Sequence, residues 1–436
     1  AMKLLKEQEQ ICRDLGNVNA LQTCLSYQAN IHKARSNVSD VMNLNKEPEE
    51  RVCMDSGNGN DLQASLGNQA GILFSRGDLE GAMKLLKEQE RICKEHGYIN
   101  SLQASISNQA LILDKRGDFD GAMKLYKEEE RICRELGNLD SLQRSLVNQA
   151  VSLYERNDLD GAMKLLKEQE RICRELGNLN SLQQSLKGQA LILDKRGDFD
   201  GVMKLHKEEE QICRKLEKGN DLLASLGEQA HILFSRRDTD GAMKLLKEQE
   251  RICREIENLN ALHVCLNNQA FTHKTRGNLD GAMKLYKEQE RICRELGNLD
   301  SLQACLGNQA SIHMTRIDVD DAMKLFKEQE QICRELKNLN ALQACLGNQA
   351  SILFARSDLN GSMKLHKEEE QISRKLGDVK GLSISLINQT LILLEQNRHS
   401  EALTAAEEAY RLTSGHGYTA LAKEILPILE KVRKGG

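Results

Sequence analysis

The sequence predicts an all-α protein, an α-solenoid of about ten antiparallel helix pairs, and three observations carry that expectation. The first is a strict period. Met83, Met123, Met163, Met203, Met243, Met283, Met323 and Met363 stand 40 residues apart, and nearly every neighbour moves with them. The second is that each period holds two apolar stretches at helical spacing. Leu102, Ile106, Ala110 and Leu113 recur at i, i+4, i+8 and i+11 on one stripe, and Phe119, Ala122, Met123, Tyr126, Cys133 and Leu136 mark a second helix turned toward its neighbours. The third is the punctuation Arg116-Gly117-Asp118 and Leu136-Gly137-Asn138: the glycines read as left-handed C-terminal stops and Asp118 as the N-cap of the following helix. Two helices cannot enclose a core. Each pair must bury its apolar faces against the next, which leaves a continuous seam and a concave inner wall.

The chain has 436 residues, a length that alone suggests about three domains, but the recurrence makes it one array. Residues 1–15 read as a partial repeat, an orphan second helix; 16–416 as ten helix pairs; and 417–436 as a C-terminal capping helix with Pro427 inside it. Because Ala1 enters in mid-repeat, the sequence reads as part of a longer protein. Pro48, in a stretch with one additional residue, predicts a kinked or broken helix.

Composition narrows the function classes. Lys plus Arg is 61 and Asp plus Glu is 65, a formal charge of −4 with the signs interleaved, which argues against nucleic-acid or membrane partners. No apolar run approaches the roughly 18 residues of a bilayer span, and the N-terminus AMKLLKEQEQ has no signal-peptide pattern, so a soluble, cytoplasmic protein is expected. Of thirteen cysteines, nine hold one repeat position, among them Cys93, Cys133, Cys173, Cys213, Cys293 and Cys333. Packed helices lie about 8–10 Å apart and a disulfide needs Cα atoms within about 7 Å, so free, half-buried thiols in a reducing compartment are expected.

Chemistry that needs dissimilar groups at one point is poorly served by repetition. Cys265 with His273, and Cys305 with His313, pair good zinc ligands, but eight residues of helix span about 12 Å, too far for one ion. HExxH, P-loop and GxSxG motifs are missing from the sequence. The expectation is a protein that is not an enzyme and carries no metal and no cofactor.

Leu146, Ala150 and Leu153 on the first helix, then Asp158, Ala162, Leu166 and Ile172 on the second, with Leu176-Gly177 closing it, resemble the tetratricopeptide repeat family. The resemblance is to its long-period form, as in spindle-orientation adaptors, kinesin light chains and bacterial arrays, and it covers the whole chain. It implies a right-handed superhelix whose concave face is lined by the first helices and binds a protein or peptide.

Comparison among the repeats refines this. Gln28, Gln69, Gln109, Gln149, Gln189, Gln229, Gln269, Gln309, Gln349 and Gln389 fill one first-helix position, where the resemblance implies an apolar residue. Gln89, Glu129, Gln169, Glu209, Gln249, Gln289, Gln329 and Glu369 on the second helices are expected to bond them across the pair, since a buried unpaired amide costs about 1–3 kcal/mol. Beside the first row run Asn68, Asn108, Asn148, Asn268, Asn308, Asn348 and Asn388, interrupted by Tyr27, Gly188 and Glu228. The resemblance puts this row at the groove, where its amides bind a ligand's backbone; bonding between repeats is the alternative. The varying positions, with Phe74, Tyr154, Lys187, His231, Phe234, Phe271 and Phe354, complete the expected partner-binding wall, against the alternative of neutral drift.

The function expected is a protein–protein interaction scaffold that binds a peptide or protein segment on its concave face. Two alternatives stand beside it, a C-terminal sensor module of a larger signalling ATPase or protease, and a self-assembling structural solenoid. The part of its own chain preceding Ala1 is a further candidate partner.

Overall fold

The computed structural model describes residues 59–435, among which there are nineteen α-helices and no strand. The first helices of the pairs are α1 (Gly59–Ser75), α3 (Ile99–Lys115), α5 (Leu139–Glu155), α7 (Leu179–Lys195), α9 (Gly219–Ser235), α11 (Leu259–Thr275), α13 (Leu299–Thr315), α15 (Leu339–Ala355) and α17 (Val379–Glu395). The second helices are α2 (Leu79–His96), α4 (Phe119–Glu135), α6 (Leu159–Leu176), α8 (Phe199–Lys215), α10 (Thr239–Glu255), α12 (Leu279–Leu296), α14 (Val319–Leu336), α16 (Leu359–Leu376) and α18 (His399–Gly415). A last helix, α19 (Thr419–Gly435), packs on α18. Contacts group α1–α8 into one unit ending at Glu217 and α9–α19 into a second beginning at Lys218. The orphan helix expected over residues 1–15, the first expected pair with Tyr27 and Gln28, and the break at Pro48 lie outside the described residues.

The local signals act as the sequence predicts. Asp118 Oδ1 accepts from the Gly121 N–H at 2.9 Å and Asn138 Oδ1 from the Ser141 N–H at 3.1 Å, each satisfying a donor at a helix start. Gly117 and Gly137 take φ of 78° and 64°, the left-handed region that closes the preceding helix. At the position of Gly117 the α13–α14 turn carries Ile317, held at φ 65° with 81% of its surface exposed. A β-branched side chain there clashes with its own backbone and buries nothing in return.

Buried clusters run from pair to pair. Ala150 on α5, Ala162, Met163 and Leu166 on α6, and Ile192 on α7 form one buried cluster; Cys133 on α4, Leu142 and Leu146 on α5, and Ile172 on α6 form the next. Each cluster draws on three successive helices, so the apolar seam interlocks neighbours within a unit. Leu136 departs from expectation: it is 44% exposed, because it is the C-cap residue of α4 and the inward place is taken by Cys133 one turn earlier. The ten described cysteines are free and buried, deeper than expected. Cys265, Cys305 and Cys345 take the place of Ser105, Ser145, Ser185 and Ser385, and donate to the carbonyls of Leu246, Tyr286 and Phe326 at 3.1, 3.0 and 2.9 Å. Burial pushes Cys133 and Cys173 up to about 11 and Cys265, Cys305 and Cys345 up to about 12.

The polar ladder is wired differently from the expectation. Gln109 faces the preceding pair, and its Nε2 donates to Glu90 Oε2 at 2.7 Å instead of to Glu129 across its own pair. The same bond joins Gln149 to Glu130 at 2.9 Å, Gln189 to Glu170, Gln269 to Glu250, Gln309 to Glu290 and Gln349 to Glu330 at 2.7 Å, and Gln389 to Glu370 at 2.8 Å. The carboxylate's other oxygen takes a cation one turn on, and where that cation is an arginine it crosses to the next second helix: Arg174 lies 2.6 Å from Glu170 and 2.7 Å from Glu208. Several members of the Gln89 row instead find partners at the start of their own pair's first helix, while the buried amide of Gln169 has none. Gln89 donates to Gln63 at 3.2 Å and Gln329 to Gln303 at 3.2 Å, while Gln103 and Gln183 donate to Glu129 and Glu209 at 3.4 Å.

Burial of Glu170 acts to raise its pKa, but the donors Gln189 and Arg174 outweigh it and hold the carboxyl below its ordinary 4.5. A depressed folded pKa means that the stabilisation is complete above the ordinary value and is lost as pH falls through the folded one.

This frame has three measurable consequences. Ile317→Gly should raise the opening free energy of the α13–α14 turn by about 1 kcal/mol, read as slower amide exchange on both sides of it. Glu170→Ala should cost about 2 kcal/mol at neutral pH, and its gap in urea midpoint from the parent should close as pH falls below about 4. Mass-spectrometric mapping of a thiol reagent on the native chain should find Cys133, Cys265, Cys305 and Cys345 unmodified until denaturant is added.

Candidate functional site

In the first unit adjacent first helices touch one another, α1 with α3, α3 with α5 and α5 with α7, so these helices form a common wall. A groove of about 620 Å³ opens on it. Its sides are Ser107, Asn108 and Leu111 of α3 and Arg144, Val147 and Asn148 of α5; its floor includes Gln103, Glu129, Gln143 and Gln169. In the second unit a cavity of about 320 Å³ lies between α9 and α11, where His231, Phe234, Asn268 and Phe271 converge. Phe234 and Phe271 meet at 5.3 Å between centroids with their planes tilted 49°.

The asparagine row and the Gln109 row divide sharply. The buried glutamines are tied to the glutamates of the preceding pair. The side chains of Asn68, Asn108, Asn148, Asn308, Asn348 and Asn388 make no hydrogen bond among the described residues, and Asn268 accepts only a 3.5 Å bond from its neighbour Asn267. Asn68, Asn108, Asn268 and Asn348 are exposed, and Asn148, Asn308 and Asn388 half-buried. The inter-repeat bonding considered for this row is not made.

Other expected wall residues are placed differently from one another. Phe74, Tyr154 and Phe354 are half-buried and pack at the edges of core clusters, and Lys115 and Lys195 of the next first helices cover the Phe74 and Tyr154 rings at 4.4 and 3.8 Å. Phe271 stays open, 47% exposed. Lys187 leans to the floor, its ammonium 3.3 Å from the buried Glu209, whose other oxygen lies 2.9 Å from His206 Nδ1. Sequence reasoning passed over the position four residues before the asparagines, with Ala104, Arg144 and Gln184 on the groove and Val264 and Ile384 exposed. One helical turn separates it from the asparagine on the same face, so the spacing itself was the signal. Leu191 belongs to the same wall position as Val151 and Phe271, and both Val151 and Leu191 are exposed.

The floor is acidic where a glutamate replaces glutamine. Burial raises the pKa of Glu129, an effect that Gln103, Ser145 and Ser107 partly offset. Among the described residues no group of three or more His, Cys, Asp or Glu side chains converges as a metal site would require. Cys265 is committed to the Leu246 carbonyl, and His273 Nδ1 lies 3.1 Å from Asn278 Nδ2. Among the described residues no helix is long and apolar enough to cross a membrane.

No protein-family profile and no curated protein matches the sequence. Among solved structures, the chain is similar to a signal-transduction ATPase with numerous domains and a tetratricopeptide repeat sensor from Pyrococcus horikoshii, at 13% identity and a TM-score of 0.56, over 84% of this chain and 55% of that one. The chain therefore spans about half the length of that protein. The apo quorum sensor NprR from B. thuringiensis is similar at 14% identity and a TM-score of 0.47, over 76% of this chain and 95% of the other. Aspartyl phosphate phosphatase F from Bacillus subtilis is similar at 13% identity and a TM-score of 0.47, over 79% and 92%. Interlocked helix pairs with left-handed caps, together with the likeness to the Pyrococcus sensor, show that the chain has the fold of a tetratricopeptide-type helical repeat array.

Proposed function

We propose that the chain is a non-enzymatic interaction scaffold that holds an extended peptide or protein segment along the wall of its first helices. The single observation that carries this reading is the open asparagine row. The glutamine row beside it is consumed within the frame, whereas these primary amides, each with donors and an acceptor, stand open at one position in repeat after repeat. An extended backbone presents N–H and C=O groups at regular spacing, and matching amides satisfy it without regard to sequence. Selectivity would then come from the varying apolar positions beside the row, Leu111, Val151 and Leu191 in one unit and His231, Phe234 and Phe271 in the other.

A second reading has one observation in its favour. The Pyrococcus protein's name gives its repeats as a sensor within a signalling ATPase, which supports the same wall serving as the sensor part of a larger effector. Reading the genomic sequence upstream of Ala1 separates the two: a nucleotide-binding or protease domain there supports the sensor, and its absence overturns it.

Peptides selected from a displayed random library against the whole chain should bind Phe234→Ala/Phe271→Ala about tenfold or more weakly, as loss of a central aromatic anchor costs. Asn268→Ala should weaken them further without regard to peptide sequence. Unchanged affinity in both variants would place the binding surface elsewhere.

A further inference from the structure

The floor of the wall carries glutamate in three described repeats, Glu129, Glu209 and Glu369, alanine in the last, Ala409, and glutamine in the others. In the last two, a histidine one turn earlier goes with it: His206 Nδ1 lies 2.9 Å from Glu209 Oε2, and His366 Nδ1 lies 2.7 Å from Glu369 Oε2. One oxygen of each carboxylate is thereby engaged. The fate of the other oxygen differs between the two repeats.

Glu209 Oε1 receives two donors from the first helix of its own pair, Gln183 Nε2 at 3.4 Å and the Lys187 ammonium at 3.3 Å. At the equivalent points of the Glu369 repeat stand Gln343 and Gly347. Gln343 has been drawn away: its Nε2 donates to Asp378 Oδ2 at 2.8 Å. Two local features allow this. Asp378 caps α17 through Oδ1, bonding the Gly381 N–H at 3.0 Å, and has a second acceptor where the Asn138 and Asn178 caps would offer an NH₂. Gly381 leaves room for the amide, which would collide with a Cβ at that residue. Gly347 has no side chain to supply the ammonium, and Glu369 Oε1 rests over it, 2.8 Å from where its Cβ would be. Glu369 is 6% exposed, and this oxygen, which has no hydrogen-bond partner among the described residues, keeps an opening to solvent.

We propose that Glu369 Oε1 is a receptor for the side-chain ammonium of a lysine in the bound segment, which takes the place that Lys187 fills at Glu209. This deepens the groove reading and rests on it. The site selects an ammonium on an aliphatic stem: the ammonium completes a carboxylate that the frame leaves half-satisfied, and Ile384 and Ile387 stand on α17 at the places where Arg144 and Val147 line the first unit's groove with Glu129.

The test is a titration of the full chain, labelled at isoleucine δ1 methyls, with Nα-acetyl-lysine N-methylamide and with its uncharged norleucine counterpart. The lysine probe should shift the Ile387 methyl saturably, and the norleucine probe should bind about tenfold or more weakly. Glu369→Gln, which keeps the shape and removes the charge, should cost the lysine probe a similar factor, and Gly347→Lys should abolish its binding by filling the place from within. No saturable shift, equal affinity for the two probes, or unchanged affinity in Glu369→Gln overturns the proposal, and the last comparison stands even where Gly347→Lys fails to fold. No partner takes part in the titration, so failure here with library peptides still dependent on Phe234 and Phe271 overturns this subsite alone. Success here with those peptides indifferent to the two phenylalanines overturns the groove reading and leaves the ammonium site standing.

Discussion

A carboxylate half-withdrawn from water has to be met by donors from more than one direction, and the frame is arranged around that need. Glu170 is reached by Gln189 from the following first helix and by Arg174 from one turn along its own, and Arg174 goes on to Glu208 of the next second helix. The sequence separations are rigid, 19 residues from glutamine to glutamate, four from glutamate to arginine and 34 from arginine to the next glutamate, as the Gln149, Glu130, Arg134 and Glu168 set shows. A loop one residue longer would turn one of these groups away and leave the others under-satisfied. This gives a physical reason for a period held at 40 through repeats whose surface residues drift. Apolar burial drives neighbouring pairs together, and the polar link decides the register in which they meet.

The end of the ladder has the same logic. On α18, Glu408 still accepts from Arg374 at 2.9 Å, but Ala409, Tyr410 and Ser414 occupy the places of Glu369, Glu370 and Arg374. The link is received and not passed on. The last helix, α19, covers α18 with Ile425, Leu429 and Val432 buried and an Arg433–Glu407 ion pair at 2.8 Å. A carboxylate and guanidinium facing that helix would have been withdrawn from water with no partners of the right geometry.

The groove reuses positions that the frame leaves over. Where a repeat keeps leucine or an aromatic in the second helix, the floor is in most cases an amide; where histidine appears at 206 or 366, a carboxylate stands three residues on. The two changes compensate each other within one turn, so the floor acquires charge without disturbing the link between pairs. Lys187 then shows the difference between a residue that lines a wall and one that completes it: its position is that of a wall residue, and its charge is spent on Glu209.

Much of this was legible in the sequence because it is local or strictly periodic. The helix pairs, the caps at Asp118 and Asn138, the glycine stops and the free cysteines follow from propensities and spacing that a linear chain displays directly. The asparagine row was visible as a row, but its amides could be called open only once every possible partner had a position. The wiring of the glutamines was misread for a related reason. Gln109 lies between two second helices, so whether it meets Glu129 of its own pair or Glu90 of the preceding one depends on the angle at which pairs pack, and no single helix contains that angle. The same holds for Gln343, whose choice of Asp378 over Glu369 turns on a glycine and a second carboxylate oxygen in the neighbouring repeat. Period and composition determined that there would be stacked helix pairs with a continuous seam; only the packing of one pair against the next decided which of their polar groups are satisfied and which are left open.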